Sequence, residues 1–130
     1  MKKLLLVFVI AFILNFIWEY LHSLLYGSNM GGPITGVILF IASVLDAIII
    51  VIISAPFIYK ENYKKLSWLI IVFGIIIAIV IEKFALATGM WTYNDYMPII
   101  PYLSVGLTPT IQLGFLGYVS YRIHLFPFLK

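Results

Sequence analysis

Glu19 and His22 stand three residues apart inside the first long apolar stretch of the chain, in Asn15-Phe16-Ile17-Trp18-Glu19-Tyr20-Leu21-His22. An ionisable group placed in hydrocarbon costs several kcal/mol, so such groups turn toward the protein interior and mark sites of function. At about 100° per residue, Asn15, Glu19, His22 and Tyr26 fall within a sector of roughly 60° on one helix face. Each later apolar stretch offers one polar residue to meet this face: Asp46, Glu82 and Gln112. Three of the five acidic residues therefore sit where hydrocarbon is expected.

Several chemistries suit this set. A glutamate and a histidine with environment-shifted proton affinities can act as acid and base on a lipid-soluble substrate. A polyene or isoprenoid would fit a site of carboxylic acids, aromatic walls and little water. Glu19, His22, Glu82 and, as a further donor, Asp46 can also be read as ligands for a divalent metal, because Glu-x-x-His puts both donors on one helical face. That is half of the di-iron bundle pattern, and the second Glu-x-x-His is missing. A carboxylate alternating between protonated and substrate-bound states is a third use, in proton-coupled transport. The acid–base reading assigns Glu19, His22, Asp46 and Glu82 to the reaction. It assigns Asn15, Gln112, Trp91, Tyr93, Trp18 and Tyr26 to the walls that bind substrate. The competing reading is adhesive only: polar pairs between membrane helices contribute about 0.6 kcal/mol each.

The elements that must position these residues are four apolar stretches, over 4–26, 34–58, 66–87 and 102–121. Each matches or exceeds the roughly 20 residues that cross hydrocarbon. Met1-Lys2-Lys3 before Leu4 resembles a secretory signal, but the apolar run is too long for one and no small-x-small cleavage site follows. Gly27-Ser28-Asn29-Met30-Gly31-Gly32-Pro33 reads as a tight connection between antiparallel helices. Pro56 bends or ends the second helix, and Pro109 is expected to kink the fourth. Gly74, Ala78, Glu82, Ala85 and Gly89 share a face, a small-residue stripe that permits close helix approach. Gly114 and Gly117 are expected to face a neighbouring helix or a second protomer. The isoleucine-rich runs are β-prone in water, but an isolated strand cannot satisfy its backbone in lipid, so helix is expected there.

The 130-residue chain is 64% hydrophobic and 10% charged, where a soluble domain carries about 25% charged residues. The expectation is an all-α integral membrane protein, one four-transmembrane-helix bundle over residues 1–130. The absence of cysteine excludes disulfides, thiolate metal sites and cysteine nucleophiles. Four spans place Lys2, Lys3, Lys60, Lys64, Lys65, Arg122 and Lys130 on one side and leave Lys83 alone on the other. The positive-inside rule then puts both termini in the cytoplasm of a multi-pass cell-membrane protein. The net charge of +3 is accounted for by this topology and gives no reason to expect nucleic acid. Helix rise puts Glu19 and Glu82 roughly 22–24 Å from the cytoplasmic face, in a polar wedge that opens outward beneath the Trp91–Tyr96 loop. His124 and Asp95 read as headgroup-level residues.

The stretch Glu82-Lys83-Phe84-Ala85-Leu86-Ala87-Thr88-Gly89-Met90-Trp91-Thr92-Tyr93, followed by Pro98 and Pro101, resembles a pattern in membrane proteins of carotenoid biosynthesis. It is similar to small lycopene-cyclase-type domains and related carotenoid hydratase-type proteins, where an intramembrane glutamate precedes a Gly-x-Trp/Phe-x-Tyr loop and a proline-containing helix follows. The resemblance implies an all-helical membrane enzyme acting on a polyene by acid catalysis without redox change. Glu82 would be its acidic residue, with Trp91 and Tyr93 lining the substrate entrance. The cyclase-type proteins carry an acidic pair after a proline late in the pattern, where this chain has Thr108-Pro109-Thr110-Ile111-Gln112.

An enzyme on an isoprenoid- or carotenoid-like lipid is the leading expectation. A small proton-coupled transporter and a non-catalytic membrane subunit are the alternatives. The expected partners are the bilayer, a hydrophobic small molecule or lipid, and a homo-oligomer or partner subunit.

Overall fold

The computed structural model describes residues 1–129, so Lys130 lies outside the described residues. Four α-helices carry most of the chain: α1 Lys2–His22, α2 Gly36–Tyr59, α3 Leu69–Thr88 and α4 Leu107–His124. Between them lie two small antiparallel ladders, β1 Tyr26–Asn29 with β2 Trp91–Tyr93 and β3 Ile99–Ile100 with β4 Val105–Gly106. The first three helices are long and apolar enough to cross a membrane, which makes this a multi-pass membrane protein. In lipid a helix pairs its backbone groups internally, which is why the isoleucine runs of α2 and α3 are helical despite their β-branching.

Local chemistry sets the helix ends. Thr35 caps α2, its hydroxyl accepting from the Ile38 amide at 3.3 Å. Pro56 lies in the last turn of α2, which ends three residues later at Tyr59. Gly89 closes α3 in the left-handed conformation, φ 75°. Helix α4 starts at Leu107, five residues later than the sequence indicates. Pro109 therefore sits in its first turn, where a missing N–H breaks no helical bond, and the expected kink is absent.

The glycine-rich connection is also different from the expectation. The first helix ends at His22 rather than near 26, and the chain then passes through one 3₁₀ turn into strand β1. Met30 and Gly31, both with positive φ (52° and 78°), make a two-residue turn between Asn29 and Gly32. Strand β1 pairs with β2 across the mouth of the bundle, with Tyr26 opposite Tyr93. The ladder gives backbone polar groups of both strands partners at this end of the bundle.

The core is built around α4. Ten of its residues are buried, against four of α1, so α1, α2 and α3 form the lipid-facing wall around it. Gly74 of α3 and Gly114 of α4 meet backbone to backbone: a Cβ at Gly74 would lie 2.3 Å from the Gly114 nitrogen. Ala78, Glu82 and Ala85 continue the buried α3 stripe. Gly117 packs on Ile70 and Ile50. Gly114 and Gly117 thus face neighbouring helices of the same chain, and a second protomer is not what they receive.

Candidate functional site

Gln112 is the centre of the first polar group. Its Nε2 faces Asn15 Oδ1 at 2.9 Å, Glu19 Oε1 at 3.0 Å and Asp46 Oδ2 at 3.0 Å. Residues from α1, α2 and α4 thereby meet on one nitrogen. Asn15 is fixed in turn by its own Nδ2, which donates to the Ala11 carbonyl at 2.7 Å. An amide nitrogen carries two hydrogens and here meets three acceptors, so the group is one donor short.

Glu19 extends the network outward. Its Oε2 lies 2.9 Å from His22 Nε2, an i,i+3 pair on the last turns of α1. His22 Nδ1 meets the Thr108 hydroxyl at 3.3 Å, and Thr108 reaches Met97 Sδ at 3.5 Å. With Nε2–H donating to the Glu19 carboxylate, the Thr108 hydroxyl donates to Nδ1; with the proton on Nδ1, Thr108 accepts, and Nε2 has a partner only when Glu19 is protonated. Thr108 and Met97 escaped the sequence reading. The available signal was Thr-Pro at a helix start: with Pro109 in the first turn, Thr108 and Gln112 are i,i+4 neighbours and share a face.

Glu82 forms the second group, and there the donors are plentiful. Tyr26 donates its hydroxyl to Oε1 at 3.2 Å, Trp91 its Nε1–H to Oε2 at 3.0 Å, and Tyr93 its hydroxyl to Oε2 at 2.5 Å. Tyr93 also accepts from the Gly106 amide at 2.9 Å, tying β2 to the start of α4. Burial, with the Glu82 carboxylate beside them, pushes both phenols above the ordinary tyrosine range, which keeps them protonated as donors. Tyr26 joins the two groups: its ring stands edge-on to His22 at 5.1 Å, Tyr93 at 5.3 Å and Trp91 at 6.2 Å.

A cavity of about 330 Å³ lies between the two groups, in the size range of small-molecule sites. Glu19, His22, Tyr26, Asp46, Glu82, Trp91 and Gln112 are its polar and aromatic lining. Ile38, Leu39, Ala42, Leu45, Ile48 and Ile49 of α2 and Ile34 just before it, with Ala78 and Ile81 of α3, form its apolar walls. Leu45 and Ile48 are exposed on the outer surface of the bundle, so the wall of the cavity is continuous with the lipid-facing surface.

Most residues selected from sequence therefore meet at one place, with different parts to play. Asp46 belongs to the Glu19–His22 group through Gln112. Asn15 and Tyr93 do not line the cavity and instead hold Gln112 and Glu82. Trp18 does not line the cavity: one turn before His22 on α1, its ring packs against Phe115 of α4, centroids 6.3 Å apart, and against the hydrophobic core. Glu82 forms no pair with its neighbour Lys83. Among the described residues, no three histidine, aspartate or glutamate side chains converge as a metal ion requires. The Glu19–His22–Glu82 triad is not assembled, because Tyr26, Trp91 and Tyr93 already occupy the Glu82 carboxylate.

The bundle and its cavity define a multi-pass helical membrane protein with a buried acid–histidine site. The chain matches no family model, no curated protein and no solved structure.

Proposed function

We propose that this protein is a membrane enzyme that rearranges an isoprenoid- or polyene-type lipid by proton transfer. One observation carries the reading: a largely apolar cavity in the bundle wall, into which three carboxyl groups and one histidine face. The donor shortage around Gln112 is relieved by one extra proton on the Glu19–Asp46 pair, since two close carboxyl groups share a proton more readily than they hold two charges. That shared proton is the acid. Its transfer to an alkene carbon breaks the π bond and leaves a carbocation. Glu82, with every donor around it already aimed at an anion, faces the cation with negative charge, and Trp91 and Tyr26 add aromatic faces. Loss of a proton from the adjacent carbon to the Glu19–His22 pair restores neutrality and yields an isomerised or cyclised alkene. No oxidant is needed. The resemblance to carotenoid-pathway proteins supports the same chemistry. The acidic pair missing after Pro109 has a counterpart in Glu19 and Asp46, gathered by Gln112.

The proposal includes the arrangement in the membrane. Helix α4 is the fourth crossing, and the basic residues Lys2, Lys3, Lys60, Lys64, Lys65 and Arg122 place both termini in the cytoplasm. The cavity then opens in the outer half of the bilayer. About 12 Å of packed core separates it from the opposite end, counting the eight helical steps from Leu113 to Tyr121 at helix rise. That plug disfavours a transport path.

The test is solvent isotope incorporation. Membranes containing the protein are incubated in deuterated buffer with an isoprenoid lipid extract, and the lipids are analysed by mass spectrometry. The expected result is deuterium in one lipid class, lost in Glu19→Gln and Asp46→Asn. Removing one acid–base partner should lower the rate about 10²–10⁴-fold. Incorporation no greater with wild type than with Glu19→Gln would end the enzyme reading.

A further inference from the structure

We propose that a second cavity, at the opposite end of the bundle, binds the phosphate group of an anionic lipid. It measures about 340 Å³, as large as the first, and shares no residue with it. Lys2 and Lys3 of α1 and Lys64 of the α2–α3 turn line it, and no aspartate or glutamate among the described residues does. The α-amino group of Met1 stands nearby, donating to the Tyr59 hydroxyl at 3.0 Å.

Among the described residues, one acidic side chain compensates this charge. Glu61 pairs with Lys64 at 2.6 Å, but its side chain is 83% exposed, so an incoming anion competes with a weak surface pair. Among the described residues, no ion pair involves Lys2 or Lys3. The remaining walls decide between a free ion and a lipid. Leu6, Phe57 and Leu125 contribute apolar surface beside the lysines. A hydrated inorganic anion gains nothing from such walls, whereas a phosphate carrying acyl chains satisfies both halves.

The floor is rigid. Tyr121 is 2% exposed and donates its hydroxyl to the Phe57 carbonyl at 3.3 Å, joining α4 to α2. His124, read from sequence as a headgroup-level residue, is buried: its ring stacks near Tyr121 and its Nδ1 meets the Tyr121 carbonyl. The cavity is thus built from three helices and a turn. This inference is independent of the chemistry proposed for the first cavity.

The experiment uses the full chain in a neutral detergent, titrated with dioctanoyl phosphatidylglycerol, dioctanoyl phosphatidylcholine or sodium phosphate, with adducts counted by native mass spectrometry. One phosphatidylglycerol is expected to bind at about tenfold lower concentration than phosphatidylcholine. Lys3→Gln/Lys64→Gln should weaken it about tenfold or more, given about 1 kcal/mol per basic residue near an anionic lipid. Lys60→Gln/Lys65→Gln removes the same charge from outside the cavity and should change binding by about twofold at most. Leu6→Trp, which keeps every charge and fills the apolar wall, should also abolish the adduct; it serves if the lysine pair proves needed for folding. Equal binding of the two lipids, or equal loss in both lysine pairs, would overturn the proposal in favour of general surface attraction. Displacement of phosphatidylglycerol by an equal concentration of sodium phosphate would overturn the lipid assignment and leave a phosphate site.

Discussion

Gln112 does more at its position than adhesion between helices asks. One amide holds acceptors from two other helices, so its removal takes both amide hydrogens away from three buried or half-buried oxygens. Leaving a buried polar group unpaired costs about 1–3 kcal/mol. Gln112→Leu is therefore expected to lower stability by about 2–3 kcal/mol, read as a drop in the thermal midpoint in detergent. Asp46→Leu in the same background should recover part of that loss, because it removes one stranded acceptor as well. A second loss on adding Asp46→Leu would show that Asp46 has partners independent of Gln112. Glu19, His22, Asp46 and Glu82 were legible in the sequence because charge inside an apolar run is anomalous wherever it falls. Their division of labour was not. It depends on which donors surround each carboxylate, and those come from Tyr26, Trp91 and Tyr93 on strands that no apolar periodicity marks.

At the scale of elements, the bundle depends on how closely α3 and α4 approach. A Cβ on Gly114 would lie 2.5 Å from the Ile71 carbonyl oxygen, a backbone atom that cannot step aside. A Cβ on Gly117 meets only side-chain carbons, at 3.2 Å from Ile70 and 3.4 Å from Ile50. Alanine is favoured over glycine in a helix by about 1 kcal/mol, which opposes both clashes equally. Gly114→Ala should thus destabilise by about 1–3 kcal/mol net, while Gly117→Ala should be near neutral. Thermal denaturation of the two variants in detergent checks the contrast, and a Gly117→Ala loss as large as that of Gly114→Ala would contradict it. The small-residue stripe of α3 was readable from spacing alone, since 3.6-residue periodicity survives in any environment. The β1–β2 ladder was not readable in the same way. Strand β1 is Tyr-Gly-Ser-Asn, without alternation, and exists because β2 lies opposite and Met30-Gly31 can turn with positive φ.

At the scale of the molecule, α4 poses the remaining question, because its sequence is the least lipid-like of the four helices. It has 18 residues, about 27 Å long at helix rise, against a hydrocarbon core of about 30 Å. Gln112, Ser120, Tyr121 and His124 make it too polar to qualify by composition, yet all four are buried. Its solvent is the other three helices, so hydropathy measured against lipid understates its fitness to cross. The fold returns it beside α2: Tyr121 bonds to Phe57 just as Met1 bonds to Tyr59. Met1 and the last turns of α4 therefore lie with the 60–65 turn, and the β1–β2 ladder lies at the far end. The chain has no cysteine, so single cysteines report topology without background. Asp95→Cys should react with a membrane-impermeant maleimide on intact cells, and Lys65→Cys and Phe128→Cys only after permeabilisation. Labelling of Phe128→Cys together with Asp95→Cys, with Lys65→Cys protected, would show that α4 does not cross. Labelling of Lys65→Cys on intact cells would invert the orientation, placing the acid–histidine cavity in the cytoplasmic half of the bilayer and the lysine-lined cavity outside.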